Sequence, residues 1–150
     1  VDLGLLVKQV LDVAKPELLA KKIHVDLRLE DGLFAPVSRG EIQQVILNLI
    51  NNAIQALMLS DKSTKEILIE GSCVKGGVEI SVVDNGNGIS PAAKDRLFDL
   101  LASTKTSGMG LGLWLCKHIV TRHGGEIWSE DVGEGAKFVF WLPMTAENQS

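Results

Sequence analysis

From Ile42 to Ser60 the chain runs for 19 residues without one charged side chain. Within it Ile42, Val45, Ile46, Leu49, Ile50, Ala53, Ile54 and Leu57 recur at steps of three and four, the spacing of one helical face. Gln43, Gln44, Asn48, Asn51, Asn52 and Gln55 lie in the same stretch. A bilayer would have to bury those amides, so a membrane span is excluded. The pattern predicts a long core helix from about Arg39 to Leu59 whose reverse side is polar but uncharged. On that side Gln44, Asn48, Asn52 and Gln55 share one face. Solvated helix faces usually carry Lys and Glu, and Asn is a poor helix former. Two readings remain open: an amide-rich solvated face, or a face turned toward a bound polar ligand.

The rest of the composition narrows the class. A chain of 150 residues with 45% hydrophobic content suffices for one domain with its own core. Its net charge of −4 is a poor match for a phosphate backbone, which argues against a nucleic-acid partner. Cys73 and Cys116 stand in apolar surroundings and read as small core residues of a reducing compartment. No Cys-x-x-Cys or Cys/His cluster suggests zinc. No secretory leader opens the sequence, which starts on an amphipathic helix pattern, and the expectation is a cytoplasmic domain of a longer parent.

Along the chain, Asp2 can cap a first helix that Pro16 interrupts or restarts. Ile23, Val25, Leu27 and Leu29 then alternate with His24, Asp26, Arg28 and Glu30, a strand with one wet face. After the long helix come strands over 66–74 and 78–83, joined as a hairpin through Lys75-Gly76-Gly77. A short helix is expected over 91–101, a loop over 102–109 and a third long helix over 111–123, ending at Gly124-Gly125. Strands over 126–130 and 136–142 close the domain, and the polar end from 144 to 150 is expected to fray. Hairpins with helices between them suggest a mixed sheet covered by helices on one face.

Two glycine-rich segments accompany the amide face. Asp84-Asn85-Gly86-Asn87-Gly88-Ile89 follows a strand directly. Its glycines let backbone approach a ligand, and the Asp84 carboxylate at a buried strand end can accept a hydrogen bond from an exocyclic amine such as that of adenine. An ordinary tight turn is the alternative. Gly108-Met109-Gly110-Leu111-Gly112-Leu113 opens the third helix and would present backbone N–H groups to phosphate oxygens. It is neither a dinucleotide fingerprint nor a P-loop, because it follows a loop and lacks Gly-Lys-Ser/Thr.

Together these segments resemble the catalytic and ATP-binding domain of sensor histidine kinases, within the superfamily shared with gyrase, MutL and heat-shock chaperone ATPases. The N box matches at Gln44 to Ala53, the first glycine box at Asp84 to Ile89, and the F box at Arg96-Leu97-Phe98-Asp99 followed by Ser103-Thr104-Lys105. The second glycine box matches at Gly108 to Leu113, and the closing pattern at His123-Gly124-Gly125 and Gly133-x-Gly135 through Pro143. The resemblance covers essentially the whole chain. It implies an α+β, two-layer α/β sandwich (the Bergerat ATP-binding fold), with a mixed sheet of about five strands under three main helices.

The resemblance further implies that ATP lies between the second and third long helices with Mg²⁺ as cofactor. Asp84 would bind the adenine amino group, Asn52 would be the main metal ligand and Asn48 would sit beside metal and phosphates. Gln55, Gly86, Gly88 and Ile89 would line the nucleotide. A lid from about Ser90 to Gly108 would bring Thr104, Lys105 and Gly108 to it, with Met109, Gly110, Leu111, Gly112 and Leu113 at the phosphates. Asn48, Asn52 and Lys105 would be the catalytic set. Superfamily ATPases and anti-sigma serine kinases carry Glu four residues before the metal-binding Asn, where it serves as a base; Asn48 stands there in this chain and cannot take a proton. That substitution favours transfer to a histidine over ATP hydrolysis or serine phosphorylation.

Several positions depart from the family pattern. Gln55 and Ala56 replace a frequent Lys-Tyr, Leu101 and Ala102 replace aromatics, and Ala136 replaces a frequent Thr. None of His24, His118 and His123 stands in the His-Glu/Asp-x-x-x-Pro context of a phosphoacceptor, and each reads as a surface or capping residue. Trp114, Trp128 and Trp141 read as packing residues, and Lys21-Lys22 and Asp61-Lys62 as solvated. The acceptor would lie on a separate dimerisation domain, adjoining helix 1–20, and a response-regulator receiver domain would take the phosphoryl group next. No nucleic acid and no membrane insertion are implied for this domain. The rival is a regulatory ATP-responsive module of the same fold, like an anti-sigma factor; a degenerate domain that binds no nucleotide is disfavoured by the intact Asn and Gly positions.

Overall fold

The computed structural model describes residues 1–89, 97–99 and 109–144, with the side chains of Met109, Gly110 and Leu111 excepted. Helix α1 (Leu3–Ala20) starts at Asp2, whose carboxylate accepts from the Leu5 amide at 3.1 Å. It runs unbroken through Pro16, the position expected to interrupt or restart it, with Leu3, Leu6, Val7, Val10, Ala14 and Leu18 buried along one stripe. Strand β1 (Ile23–Leu29) leads to α2 (Arg39–Met58), the hairpin β2 (Lys65–Val74) and β3 (Gly77–Asp84), α3 (Met109–Arg122), and a second hairpin, β4 (Glu126–Glu130) and β5 (Ala136–Pro143). The expected short helix over 91–101 and loop over 102–109 fall almost wholly outside the described residues.

The five strands lie in the order β1-β2-β3-β5-β4, with β1 parallel to β2 and every other pair antiparallel. This is the mixed, helix-covered sheet expected from the sequence. Alternate residues Ile67 and Ile69 of β2, Val78, Ile80 and Val82 of β3, and Phe138, Phe140 and Leu142 of β5 join one core with the three helices. α2 lies at its centre, between α1 and α3 and above β2 and β3. Its Ile42, Val45, Ile46, Leu49, Ile50, Ala53, Ile54 and Leu57 are all buried.

Polar contacts tie the helices at their ends. The Ser38 amide donates to His123 Nε2 at 3.2 Å, so Nδ1 carries the ring proton and donates to Ile119 O at 2.8 Å. His123 thereby joins the end of α3 to the start of α2, where Arg122 also pairs with Glu41. Two expectations need correcting. Cys73 is exposed and not a core residue: it alternates onto the same face as Ile67 and Ile69 but stands near the end of β2, where that face has lost its cover, whereas Cys116 is buried against α2. On β1 only Ile23 is fully buried and Leu27 is exposed, since an edge strand has cover along only part of its inner face.

Ile50 is fully buried at the centre of α2. Ile50→Ala is expected to cost about 2–5 kcal/mol through lost burial and the cavity left behind, read from the urea midpoint at unchanged m-value.

Candidate nucleotide site

The amide face of α2 turns toward the start of α3. Gln44 Nε2 donates to Asn48 Oδ1 at 2.9 Å, and Asn48 Nδ2 reaches Gly112 O at 3.5 Å. A side chain at Gly112 would meet the Asn48 amide at about 3.6 Å, so glycine lets α3 come close. One helical turn later Asn52 is 6% exposed, and its Nδ2 has no partner among the described residues. Another turn on, the backbone of Ala56 supports Gly86, where a Cβ would lie 3.2 Å from Ala56 O. Four residues of helix rise about 6 Å. α2 therefore spaces Asn52 midway between its contact with the second glycine segment and its contact with the first. Gln55 lies on the same side and is exposed.

The first glycine segment is held by its own side chains. Asn85 Nδ2 donates to Thr64 O at 2.9 Å, while Asn85 Oδ1 accepts from the Glu66 amide at 2.8 Å. Asn87 Nδ2 donates to Leu59 O at 3.3 Å. Gly88 has a φ of +83° and Gly135, in the turn between β4 and β5, has +84°. A Cβ on Gly135 would lie 1.8 Å from Asp84 O, so this turn packs on the glycine segment with no room for a side chain. Ile89 packs against the core.

Asp84 closes β3 in register with Ala136 of β5 and is only 4% exposed. Burial pushes its carboxyl above the ordinary aspartate range. The Gly86 amide, which donates to Oδ1 at 2.8 Å, the Ala136 amide and the charge of Lys62 pull the other way. A buried carboxylate already holding backbone donors is an acceptor poised for one more N–H.

Thr104, Lys105 and Gly108 lie outside the described residues. α3 begins at Met109, earlier than expected, so the backbone of Met109, Gly110, Leu111 and Gly112 forms its first turn. The amides of a first helical turn lack intrahelical acceptors and favour anions. The Leu113 side chain belongs to the core. Lys62, expected to be solvated, instead donates to Gly86 O at 3.3 Å and to Glu134 Oε2 at 2.9 Å. Its partners lie 24 and 72 residues away, and no local pattern marks such a lysine.

The family model described as "Histidine kinase-, DNA gyrase B-, and HSP90-like ATPase" matches residues 38–146. The chain belongs to this family. Its likeness to sensor histidine kinases is close: it is 36% identical over 134 residues to sensor protein FixL of Bradyrhizobium diazoefficiens, covering 86% of this chain and 26% of FixL. It spans about a fifth to a third of the length of the curated sensor proteins it matches. Among solved structures, the catalytic domain of histidine kinase ThkA superposes with a TM-score of 0.87 at 30% identity, covering 98% of this chain and 95% of that one. ThkA in complex with response regulator TrrA matches with a TM-score of 0.83 at 26% identity, covering 99% and 42%. Full-length ShkA in complex with AMPPNP gives 0.79 at 27%, covering 97% and 31%. The fold of the chain is thus that of the ThkA catalytic domain.

The burial of Asp84 predicts a signed pH effect on stability. A carboxyl whose folded pKa is raised binds more protons folded than unfolded, so its contribution is most favourable below the unfolded value of 3.8 and is lost as pH rises through the higher folded value. The melting temperature of Asp84→Asn relative to the unsubstituted chain should therefore climb as pH rises above 3.8. A difference independent of pH between about 3 and 7 would show that burial does not disfavour the charge.

Proposed function

We propose that this domain binds Mg·ATP between α2 and α3 and passes the γ-phosphoryl group to a histidine on a separate dimerisation domain, from which a response-regulator aspartate takes it. The observation that carries the reading is the alignment along α2: Asn48 against Gly112, Asn52 buried with an amide nitrogen unpartnered among the described residues, and Ala56 beneath the glycine segment that follows Asp84. A nucleotide needs an acceptor for its amine, an oxygen donor near its metal and free N–H groups at its phosphates. Asp84, the α2 amides and the first turn of α3 supply these in order. The ShkA complex with AMPPNP and the ThkA complex with TrrA support the nucleotide and the regulator partner.

The donor set fits a metal that arrives with the nucleotide. No group of three His, Cys, Asp or Glu among the described residues could hold a metal alone. Asn52 and Asn48 offer neutral amide oxygens, and a small hard cation would complete its shell from phosphate oxygens and water. Asn48 Oδ1 already accepts from Gln44, and Asn52 is the ligand this reading puts first. When bound, Mg²⁺ neutralises charge on the phosphates. The chain's own part is positioning: Asp84 fixes the base, the α3 amides and Lys105 hold the phosphates, and Asn48 removes the base that hydrolysis would require. Gln55, Gly86, Gly88, Ile89, Thr104, Gly108, Met109 and Leu111 line the rest of the proposed site. α1 leaves Leu5, Val13 and Leu19 exposed and is the element assigned to the junction with the dimerisation domain. No helix among the described residues is long and apolar enough to cross a membrane.

Calorimetric titration with ATP and GTP, with and without Mg²⁺, tests the site. Binding should be Mg²⁺-dependent and selective for adenine. Asp84→Ala should weaken ATP by about 1–3 kcal/mol, and unchanged affinity would remove Asp84 from base recognition. Asn52→Ala should abolish the Mg²⁺ dependence; a normal metal requirement in that variant would place the ligand elsewhere. With the parent's dimerisation domain added, acid-labile, base-stable phosphohistidine should form. Nucleotide binding without it would favour the regulatory module.

A further inference from the structure

Three chain segments meet beside Asp84, and one side chain touches them all. Lys62 belongs to the loop joining α2 and β2, where its amide donates to Ser60 Oγ at 3.1 Å and its carbonyl accepts from Lys65 Nζ at 2.8 Å. Its ammonium reaches Gly86 O at 3.3 Å in the glycine segment and Glu134 Oε2 at 2.9 Å in the turn between β4 and β5. That turn carries Gly135, packed on the Asp84 carbonyl. Lys62 is 30% exposed, half sheltered, while Glu134 is 81% exposed. The ion pair with Glu134 is thus of the weakly contributing surface kind, whereas the contact with a buried glycine carbonyl draws the ammonium inward.

Among the described residues, the charges near Asp84 are few. On the loop and turn stand Lys62 and Glu134; on the outer face of the sheet Lys137, paired with Glu130 at 3.3 Å, and Glu66 flank the end of β3. Among these, Lys62 is the cation whose field acts on Asp84.

We propose that Lys62 is a positioning residue for adenine recognition: it pins the glycine segment to the β4–β5 turn and keeps the Asp84 carboxylate charged and ready to accept the adenine amine. The proposal rests on the nucleotide reading for its adenine, but not for its hold on Asp84. Reading adenine needs an acceptor on the protein, and protonation of Asp84 would turn one of its two oxygens into a donor and leave a single, weaker neutral acceptor.

The test measures ATP affinity from pH 5.5 to 8 for the unsubstituted chain, Lys62→Gln, Lys62→Arg and Glu134→Gln, alongside the ¹³C-carboxyl titration of Asp84 in the nucleotide-free protein. Lys62→Gln should weaken ATP roughly three- to tenfold relative to the unsubstituted chain, more at the acid end, and should move the Asp84 midpoint upward. Lys62→Arg should restore both. Glu134→Gln, which keeps the Gly86 contact, should leave the midpoint at or below its original value, and it tests the proposal even where Lys62→Gln folds poorly. An unmoved midpoint in Lys62→Gln, or an affinity loss that is flat with pH and not rescued by arginine, overturns the proposal. If the unsubstituted chain binds no ATP, the nucleotide reading fails by itself, while the Asp84 midpoint still decides whether Lys62 holds the carboxylate.

Discussion

α2 has to satisfy two environments at once, and the rest of the fold is arranged around that requirement. One side of it drives eight apolar residues into the core, with α1 and α3 packed beside it and β2 and β3 beneath. The other side carries amides that hydrophobic burial alone would not tolerate without partners. Asn48 takes a partner from its own helix, Gln44, and another from Gly112 at the start of α3, while Asn52 Nδ2 has none among the described residues and the glycine segment after β3 rests on the Ala56 backbone. A charged residue in place of these amides would have to be desolvated or turned outward. Neutral amides can line a half-buried cleft and still present oxygen to a cation, which is why a long uncharged helix and a polar site coexist in one element.

The base recognition proposed for Asp84 depends on a second balance. Asp84 sits where burial disfavours its charge, and backbone amides with one lysine restore part of what burial takes away. Such a group is costly for stability and useful for discrimination, because an acceptor surrounded by protein has few competing waters. The glycines around it serve the same end, since at Gly135 a side chain would collide with the Asp84 carbonyl, and at Gly86 and Gly88 it would crowd the Asp84 carboxylate and the Gly135 carbonyl. Asn85 and Asn87 then fasten the segment to the loop between α2 and β2.

Much of the fold was legible in the sequence because its signals are periodic. The α2 stripe, the alternation of β2, β3 and β5 and the glycine punctuation at 76, 88 and 124 follow from repeats of 3.6 and two and from backbone rules. Misreadings arose where a residue's fate hangs on cover from elsewhere. Cys73 alternates onto the inner face yet lies near the end of β2 beyond its cover, Leu27 alternates correctly on an edge strand that lacks full cover, and Pro16 is carried inside a helix whose packing outweighs one missing hydrogen bond.

By itself the sequence determined the core helix, the strand hairpins, the two glycine segments and the family they spell, because each depends on contacts within a few residues or on a motif of fixed spacing. Only the tertiary structure decided which of the amides would be buried without a partner among the described residues, how far Asp84 would be withdrawn from water, and that Lys62 would turn to Gly86 and Glu134. These outcomes are set by neighbours tens of residues away, and burial and charge are properties of the assembled surroundings that no local pattern of residues contains.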